Sequence, residues 1–421
     1  MNRRMVSTVL FCALLAVMAG CGQWADDYAK NHESMMRDPL GGWNIMTAAY
    51  QQPNALDGIT FEWDYYSIHD NEGKYTGTIG YAVFDPRGHL SGEQWYAPHL
   101  MPSGANVIIS GMFADSKKFF SYDAHGRSNM VVSDTDRYFY GASTGGRFGE
   151  LIPVRGTGGL PDSMVLKGKT GDAEWELTVK ALWPERNTMR ERTWEVGSDV
   201  GLLPGEHFTV NEYWITTTVT GWIKRFDTGE TVDIDGHGYR ENSFGRWAFP
   251  EGGWDFLFGQ DLLNQSSFAF QTYHYQSKKL DFLDVDFLDN GNLVVLRLYA
   301  NKGEFGWYHD DFEYDTTGRS YVPVDTTIVG KKGDYTIEIH AAIGSDYKPM
   351  LTNATIVTNA YVINALFPQI QGTVKRTSTG EVVALISTQG GGEFSVLRNF
   401  GETAPEGQLQ KFKDTFKSPL P

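Results

Sequence analysis

From Ile59 onward the chain alternates apolar and polar residues with a period of two, the spacing of a strand that buries one face. Phe61-Glu62-Trp63-Asp64-Tyr65-Tyr66 reads as a strand, Asn71-Glu72-Gly73 as a turn, and Tyr75 to Phe84 as the returning strand. Asp85-Pro86-Arg87-Gly88 ends that unit, and similar alternation recurs at Trp175 to Trp183, Glu212 to Phe226, Trp254 to Gln260 and Phe268 to Tyr275. The clearest hairpin runs from Leu280 to Phe287, turns at Asp289-Asn290-Gly291-Asn292, and returns as Leu293 to Tyr299. Asn-Gly between alternating runs supplies the left-handed backbone that a two-residue turn requires. Helical spacing is almost absent beyond one short helix expected near Trp24 to Met36, so the fold is predicted to be all-β, of barrel or sandwich type.

Two halves are expected, with the Gly-rich stretch from Gly141 to Gly159 forming long loops inside the first. The natural boundary lies at Thr228-Gly229-Glu230, giving an N-terminal β-barrel over residues 56–229 and a C-terminal one over 230–400. Residues 21–55 read as a tether and 401–421 as a polar tail.

The first twenty residues differ in kind. Asn2, Arg3 and Arg4 precede an apolar run from Val6 to Met18, and Met18-Ala19-Gly20-Cys21 places small residues before a cysteine. That is the layout of a secretory signal, too short for a membrane span of roughly 20 apolar residues. Met18 to Cys21 resembles the lipobox of bacterial lipoproteins, which implies acylation at Cys21; an ordinary signal with an incidental cysteine is the alternative. The resemblance implies a bacterial envelope protein held to the membrane through its N-terminal lipid only. In a Gram-negative cell Gly22 at the following position implies outer-membrane sorting, and the periplasmic face is the expected location. Cys12 would leave with the signal, so the mature chain is expected to form no internal disulfide.

Charge excludes some partners. The chain carries 36 basic and 52 acidic residues, a net −16, which becomes −18 once Arg3 and Arg4 leave with the acid-free signal. Such a surface repels phosphate backbones, so no nucleic-acid partner is expected. Twelve Trp, 21 Tyr and 25 Phe point instead to an aromatic interior or an apolar pocket for a hydrophobic small molecule.

Most catalytic signatures are missing, and neither a metal nor a cofactor is expected. Gly141-Ala142-Ser143-Thr144-Gly145 meets the Gly-x-Ser-x-Gly pattern, but a nucleophile elbow needs a helix after it, and Gly146, Gly149 and Pro153 leave no room for one. Asp284, Asp286, Asp289 and Asn290 lack the spacing of a calcium loop and read as a solvated hairpin. His309-Asp310-Asp311 has no partner histidine at metal-ligand spacing and reads as a surface loop.

Gly236-His237-Gly238-Tyr239-Arg240-Glu241-Asn242-Ser243-Phe244-Gly245-Arg246-Trp247 is more informative. In an extended strand Tyr239 and Glu241 share one face while Arg240 and Asn242 share the other. A carboxyl turned inward among aromatics keeps its proton to higher pH, because burial disfavours the charge. The alternative is a strand at a barrel mouth with Glu241 paired to Arg240 or Arg246 in solvent.

Gly238-Tyr239-x-Glu241 followed by Phe244-Gly245 resembles the Gly-Tyr-x-Asp/Glu-x-x-Trp-Gly strand of the hydroxyneurosporene synthase (carotenoid 1,2-hydratase), AttH-like and tocopherol cyclase superfamily. Glu62 to Tyr66 with Gly73 and Gly77 resembles the opening strand and hairpin of that family. Gly253-Trp254-Asp255-Phe256 through Gln260 and Thr316 to Pro323 resemble two further segments, in the same order. The resemblance implies two tandem lipocalin-like (calycin-type) antiparallel β-barrels around an apolar ligand of isoprenoid, polyene or polyketide type. Relatives hydrate, cyclise or fold such substrates without metal or nucleotide. It implies Glu241 as proton donor and Tyr239 as the residue that orients it, with Trp247, Trp254, Tyr273, Asn242 and Phe244 lining the pocket. Asn242 stands where the hydratases have histidine, and Tyr273-His274-Tyr275 lacks their later Asp. A cofactor-independent cyclase or hydratase is therefore one expectation, and a carrier that moves a hydrophobic ligand across the periplasm is the other. A serine hydrolase using Ser143 has no base that the sequence can assign.

Overall fold

The computed structural model describes residues 60–84, 107–115, 119–125, 129–131, 139–142, 146–155, 161–183, 207–246, 254–273, 281–316, 320–344, 347–351, 360–365, 368–397, 409, 410 and 413. The expected helix from Trp24 to Met36, the signal and the tether lie outside them.

The first unit begins with β1 (Thr60–Asp70), β2 (Tyr75–Phe84), β3 (Val107–Asp115) and β4 (Phe119–His125). It continues through β5 (Asn129–Val131), β6 (Phe139–Ala142), β7 (Phe148–Arg155) and β8 (Pro161–Lys169). It closes with β9 (Ala173–Ala181), β10 (His207–Arg225) and β11 (Thr231–Arg246). All eleven join one sheet in the order β4-β3-β2-β1-β11-β10-β9-β8-β7-β6-β5. β9 shows why the sheet curls: Ala173, Trp175, Leu177, Val179 and Ala181 are buried, while the residues between them are not. The buried face rolls inward until β3 meets β9, with the Phe113 and Trp175 rings 5.4 Å apart. Tyr81 on β2 donates to the Lys167 carbonyl on β8 at 3.0 Å across the same interior.

The second unit opens with β12 (Trp254–Asp261), β13 (Ser266–Tyr273), β14 (Phe282–Asp289) and β15 (Asn292–Tyr299). After a 3₁₀ turn come β16 (Phe305–Asp315), β17 (Ser320–Lys332), β18 (Tyr335–Ala342) and β19 (Tyr347–Leu351). β20 (Ala360–Ala365), β21 (Gln369–Arg376), β22 (Val382–Gln389) and β23 (Gly391–Leu397) complete it. A seven-stranded sheet, β15-β14-β13-β12-β23-β20-β19, faces a five-stranded one, β16-β17-β18-β21-β22. Leu257, Phe270, Leu283 and Phe394 from the first pack with Trp307, Ile328, Ile337 and Val374 from the second. The expected hairpin is present: Asp289 pairs with Asn292, and Asn290 and Gly291 take φ of 51° and 79°. The architecture is all-β, antiparallel and lipocalin-like.

The boundary expected at Thr228-Gly229-Glu230 is instead a tight turn within the first sheet, where the Arg225 amide donates to the Glu230 carbonyl. β11 returns beside β10, and Val232 and Ile234 bury in the same core as Val219 and Ile223. The change of sheet falls between Arg246 and Trp254. A Thr-Gly turn and a short linker have the same composition, so only strand pairing separates them.

Candidate functional site

β11 runs between β1 and β10, and period-two geometry sends its side chains alternately into the first barrel and out onto the second unit. Arg240 points inward and is fully buried. Its guanidinium donates to both oxygens of Asp64 at 3.0 and 2.9 Å and to the Tyr66 hydroxyl at 2.9 Å. It also lies over the Trp214 ring, 4.5 Å from the centroid. Arg240 therefore takes Asp64 as its ion partner, not Glu241 in solvent.

Tyr239 and Glu241 face the other way. The Tyr239 hydroxyl donates to Glu241 Oε2 at 2.5 Å. Tyr65 stands opposite Glu241 in the β1–β11 register, and Phe256 stands opposite Glu393 in the β12–β23 register. Tyr65 bridges the two sheets by donating to Glu393 Oε1 at 2.8 Å, and the Trp254 side chain also hydrogen-bonds Glu393. Two carboxyls, 6 and 8 % exposed and each held by a tyrosine, thus meet in a seam between the units. Aromatic rings wall it: Tyr239 lies 4.7 Å from Phe256 and 5.5 Å from Phe258, and Tyr65 lies 6.5 Å from Tyr239.

Burial is the main force on the Glu393 carboxyl and pushes it up to about 7, with the neighbouring Glu241 charge adding to the rise. The Tyr65 and Trp254 hydrogen bonds pull the other way without cancelling it. Burial, followed by the Glu393 charge, raises the Tyr65 phenol well above its ordinary value. A carboxyl that keeps its proton near neutrality among aromatic faces can act as a proton donor.

Further along the seam His69 and His237 stack with ring centroids 5.8 Å apart, again opposite each other in register. Phe258 packs edge-on against His69 at 5.2 Å, and Gly391 approaches so closely that any Cβ there would collide with His69 Nε2. His237 bonds Asn71 Oδ1 at 3.1 Å and the Gln389 carbonyl at 3.3 Å. Burial and the adjacent His237 hold His69 well below the usual imidazole range, and burial lowers His237 too.

Gln260 fastens the units together. A register shift in β10 between Trp214 and Thr217 frees backbone groups from the ladder. The Gln260 side chain answers them, its Oε1 accepting from the Thr217 amide at 3.2 Å and its Nε2 donating to the Ile215 and Gly238 carbonyls.

The structure brings Tyr239, Glu241 and Trp254 into one cluster. Asn242 and Phe244 fall on β11, and Tyr273 falls on β13 in register with Trp254, with side chains outside the described residues. Trp247 and Cys21 lie outside the described residues altogether. Sequence reasoning missed Glu393, Tyr65 as a site residue, and the histidine pair. A lone acid after two glycines in Gly391-Gly392-Glu393-Phe394 was the available signal.

The other expectations resolve locally. Gly141 and Ala142 end β6, Ser143 to Gly145 lie outside the described residues, and the next element, β7, is a strand where an elbow needs a helix. Asp284 is held by Arg297 at 2.8 and 2.7 Å, and Asp289 by Arg376 and the Tyr335 hydroxyl. His309 turns inward between Asp255 at 3.1 Å and Thr326 at 2.8 Å. A register shift at Asp310 turns the following carboxylates outward, so His309-Asp310-Asp311 is a strand segment and not a surface loop. Folding supplies the partner histidine that the sequence spacing lacked: ligand atoms of Asp310, Asp325 and His340 lie within 4.8 Å of one another, on three strands. Asp310 and His340 are exposed, and His340 already pairs with Asp325 at 2.6 Å.

No family model matches the chain, and no curated protein matches it by sequence. Solved structures do match it in fold. CghA is 9% identical with a TM-score of 0.50, over 82% of this chain and 90% of that one. Kievitone hydratase from Nectria haematococca is 12% identical with a TM-score of 0.47, over 83% and 91%. A putative AttH from Nitrosomonas europaea is 12% identical with a TM-score of 0.42, over 83% and 96%. At these identities the likeness is one of fold. Three of the four sequence segments that suggested the superfamily fall on β1, β11 and β12, the strands that build the seam.

Proposed function

We propose that this chain is a lipid-anchored envelope protein that binds a hydrophobic, unsaturated small molecule at the seam and transforms it by proton transfer, as a hydratase or cyclase does. One observation carries the reading: Glu241 and Glu393 are buried, each bonded to a tyrosine, within a wall of aromatic rings. Carboxyls hydrogen-bonded to phenols among ring faces suit proton transfer. They can give a proton to a double bond while the rings steady the positive charge that develops. Partial exposure of Tyr65 and Trp254 gives the cluster an approach from solvent. Cys21 would carry the anchor, which leaves the seam available to a ligand drawn from the membrane.

Glu241→Gln tests the activity. The change keeps shape and hydrogen-bonding capacity, so an apolar polyene fluorophore should bind as in wild type. Turnover of an unsaturated isoprenoid or polyketide substrate should fall about 10²–10⁴-fold, the usual contribution of a positioned acid or base. Binding without turnover in wild type would make the protein a carrier, unchanged turnover in the variant would remove Glu241 as the acid, and failure of every polyene or lipid to displace the fluorophore would remove the ligand reading altogether.

A further inference from the structure

We infer that Glu241 and Glu393 work as one proton-sharing pair, so that the seam offers a ligand an acid and a base together. The inference rests on the proposed activity for its chemistry, but its physical content can be measured without any ligand.

The geometry comes first. The two carboxyls sit on facing sheets, 152 residues apart in sequence, and a tyrosine hydrogen bond clamps each one. Tyr65 belongs to both arms. It stands opposite Glu241 in register on its own sheet and donates to Glu393 on the other. Among the described residues, Tyr65 from β1, Tyr239 from β11, and Trp254 and Phe256 from β12 are groups that face the pair. Arg240, next in sequence, is on the far face of β11 against Asp64. Two like charges desolvated in one site repel, and the cheapest relief is for one to keep a proton. The upward push on Glu393 from the Glu241 charge agrees with this.

The consequence for chemistry is specific. When water adds across a carbon–carbon double bond, the protonated carboxyl gives its proton to one carbon and water bonds to the other. The surplus proton of that water passes to the ionised carboxyl. The pair ends with one proton, its roles exchanged, and no co-reactant beyond water is needed. Ring closure by an internal hydroxyl follows the same balance. A single carboxyl would have to serve both steps from one position, giving its proton and then taking the surplus one back.

Carboxyl infrared spectroscopy of the full-length protein, without ligand, across a pH series tests the pairing. Wild type should show a buried protonated carboxyl that ionises through neutrality, and Glu393→Gln should abolish that titration. Glu241→Gln should move it down by about one pH unit, because the burial stays while the neighbouring charge goes. Tyr65→Phe should move it up, because the lost hydrogen bond favoured the ionised form. An unmoved midpoint in Glu241→Gln overturns the inference, as does a wild type with no protonated carboxyl at neutrality. Should the glutamine variants fail to fold, an unmoved midpoint in Tyr239→Phe, which removes the hydrogen bond to Glu241, overturns it as well. Polyene binding is read separately. Coupled titration without binding supports the pair and removes the proposed activity, whereas binding without coupling removes the pair alone.

Discussion

Arg240 carries its charge inside the first barrel because Asp64 stands in reach on the adjacent strand and meets it with both oxygens. Tyr66 adds a hydrogen bond and Trp214 a ring face. The weakness of the arrangement lies in removing one half. Arg240→Ala would leave Asp64 buried without its partner and a gap beside Trp214. It should cost about 3–5 kcal/mol, the usual penalty for stranding one member of a buried ion pair. Urea denaturation should show a lowered midpoint with an unchanged slope; a loss below about 1 kcal/mol, the scale of an exposed ion pair, would mean that Asp64 finds another partner. Tyr239 and Glu241, on the opposite face of the same strand, should keep their positions only while that strand does. The pair therefore supports the site from behind.

At the scale of elements, a strand irregularity and one amide side chain help to join the two units. β10 breaks its register between Trp214 and Thr217, and Gln260 from β12 occupies the backbone groups released there. Thr216 adds a hydroxyl contact to Ser267 on β13. Gln260→Ala would leave the buried Thr217 amide and Ile215 carbonyl unpaired, at about 1–3 kcal/mol for each group that water cannot reach. Amide exchange at Thr217 should speed up while β9, on the far side of β10, stays protected. Equal exchange in both forms would show that water replaces the side chain and that the seam is held by its aromatic rows instead.

For the whole molecule, the seam should write two opposed slopes into stability against pH. Glu393 is raised from 4.5 to about 7, so the folded state holds a proton that the unfolded state has released. Its stabilisation is complete below pH 4.5 and is lost as pH rises toward 7. His69 and His237 are lowered from 6.5, so their neutral forms favour folding above that pH, and the benefit is lost on acidification below it. A tenfold difference in proton affinity between the folded and unfolded states is worth ~1.4 kcal/mol at the limit. Unfolding free energies measured across this range should lose the neutral-side decline in Glu393→Gln and the acid-side decline in His69→Gln. Two variants that both retain the wild-type profile would show that neither row governs the junction.

Residue order alone specifies what is local. Alternation pointed to β1, β2, β9, β12 and β13; β9 buries one face every two residues, whereas β12 is buried on both. Asn290-Gly291 fixed its hairpin through backbone angles that few other residues accept. The same period put Tyr239 and Glu241 on one face, a relation between residues two apart. Tertiary structure alone decided the rest. Thr228-Gly229 could have been a linker or a turn, and only the pairing of β11 with β1 and β10 makes it a turn. Glu393 joins Tyr65 across 328 residues, and no spacing rule reaches that far. Whether a carboxyl is an acid near neutrality depends on how much water the facing sheet removes and which charge it brings near. Those quantities exist only once the two sheets have met.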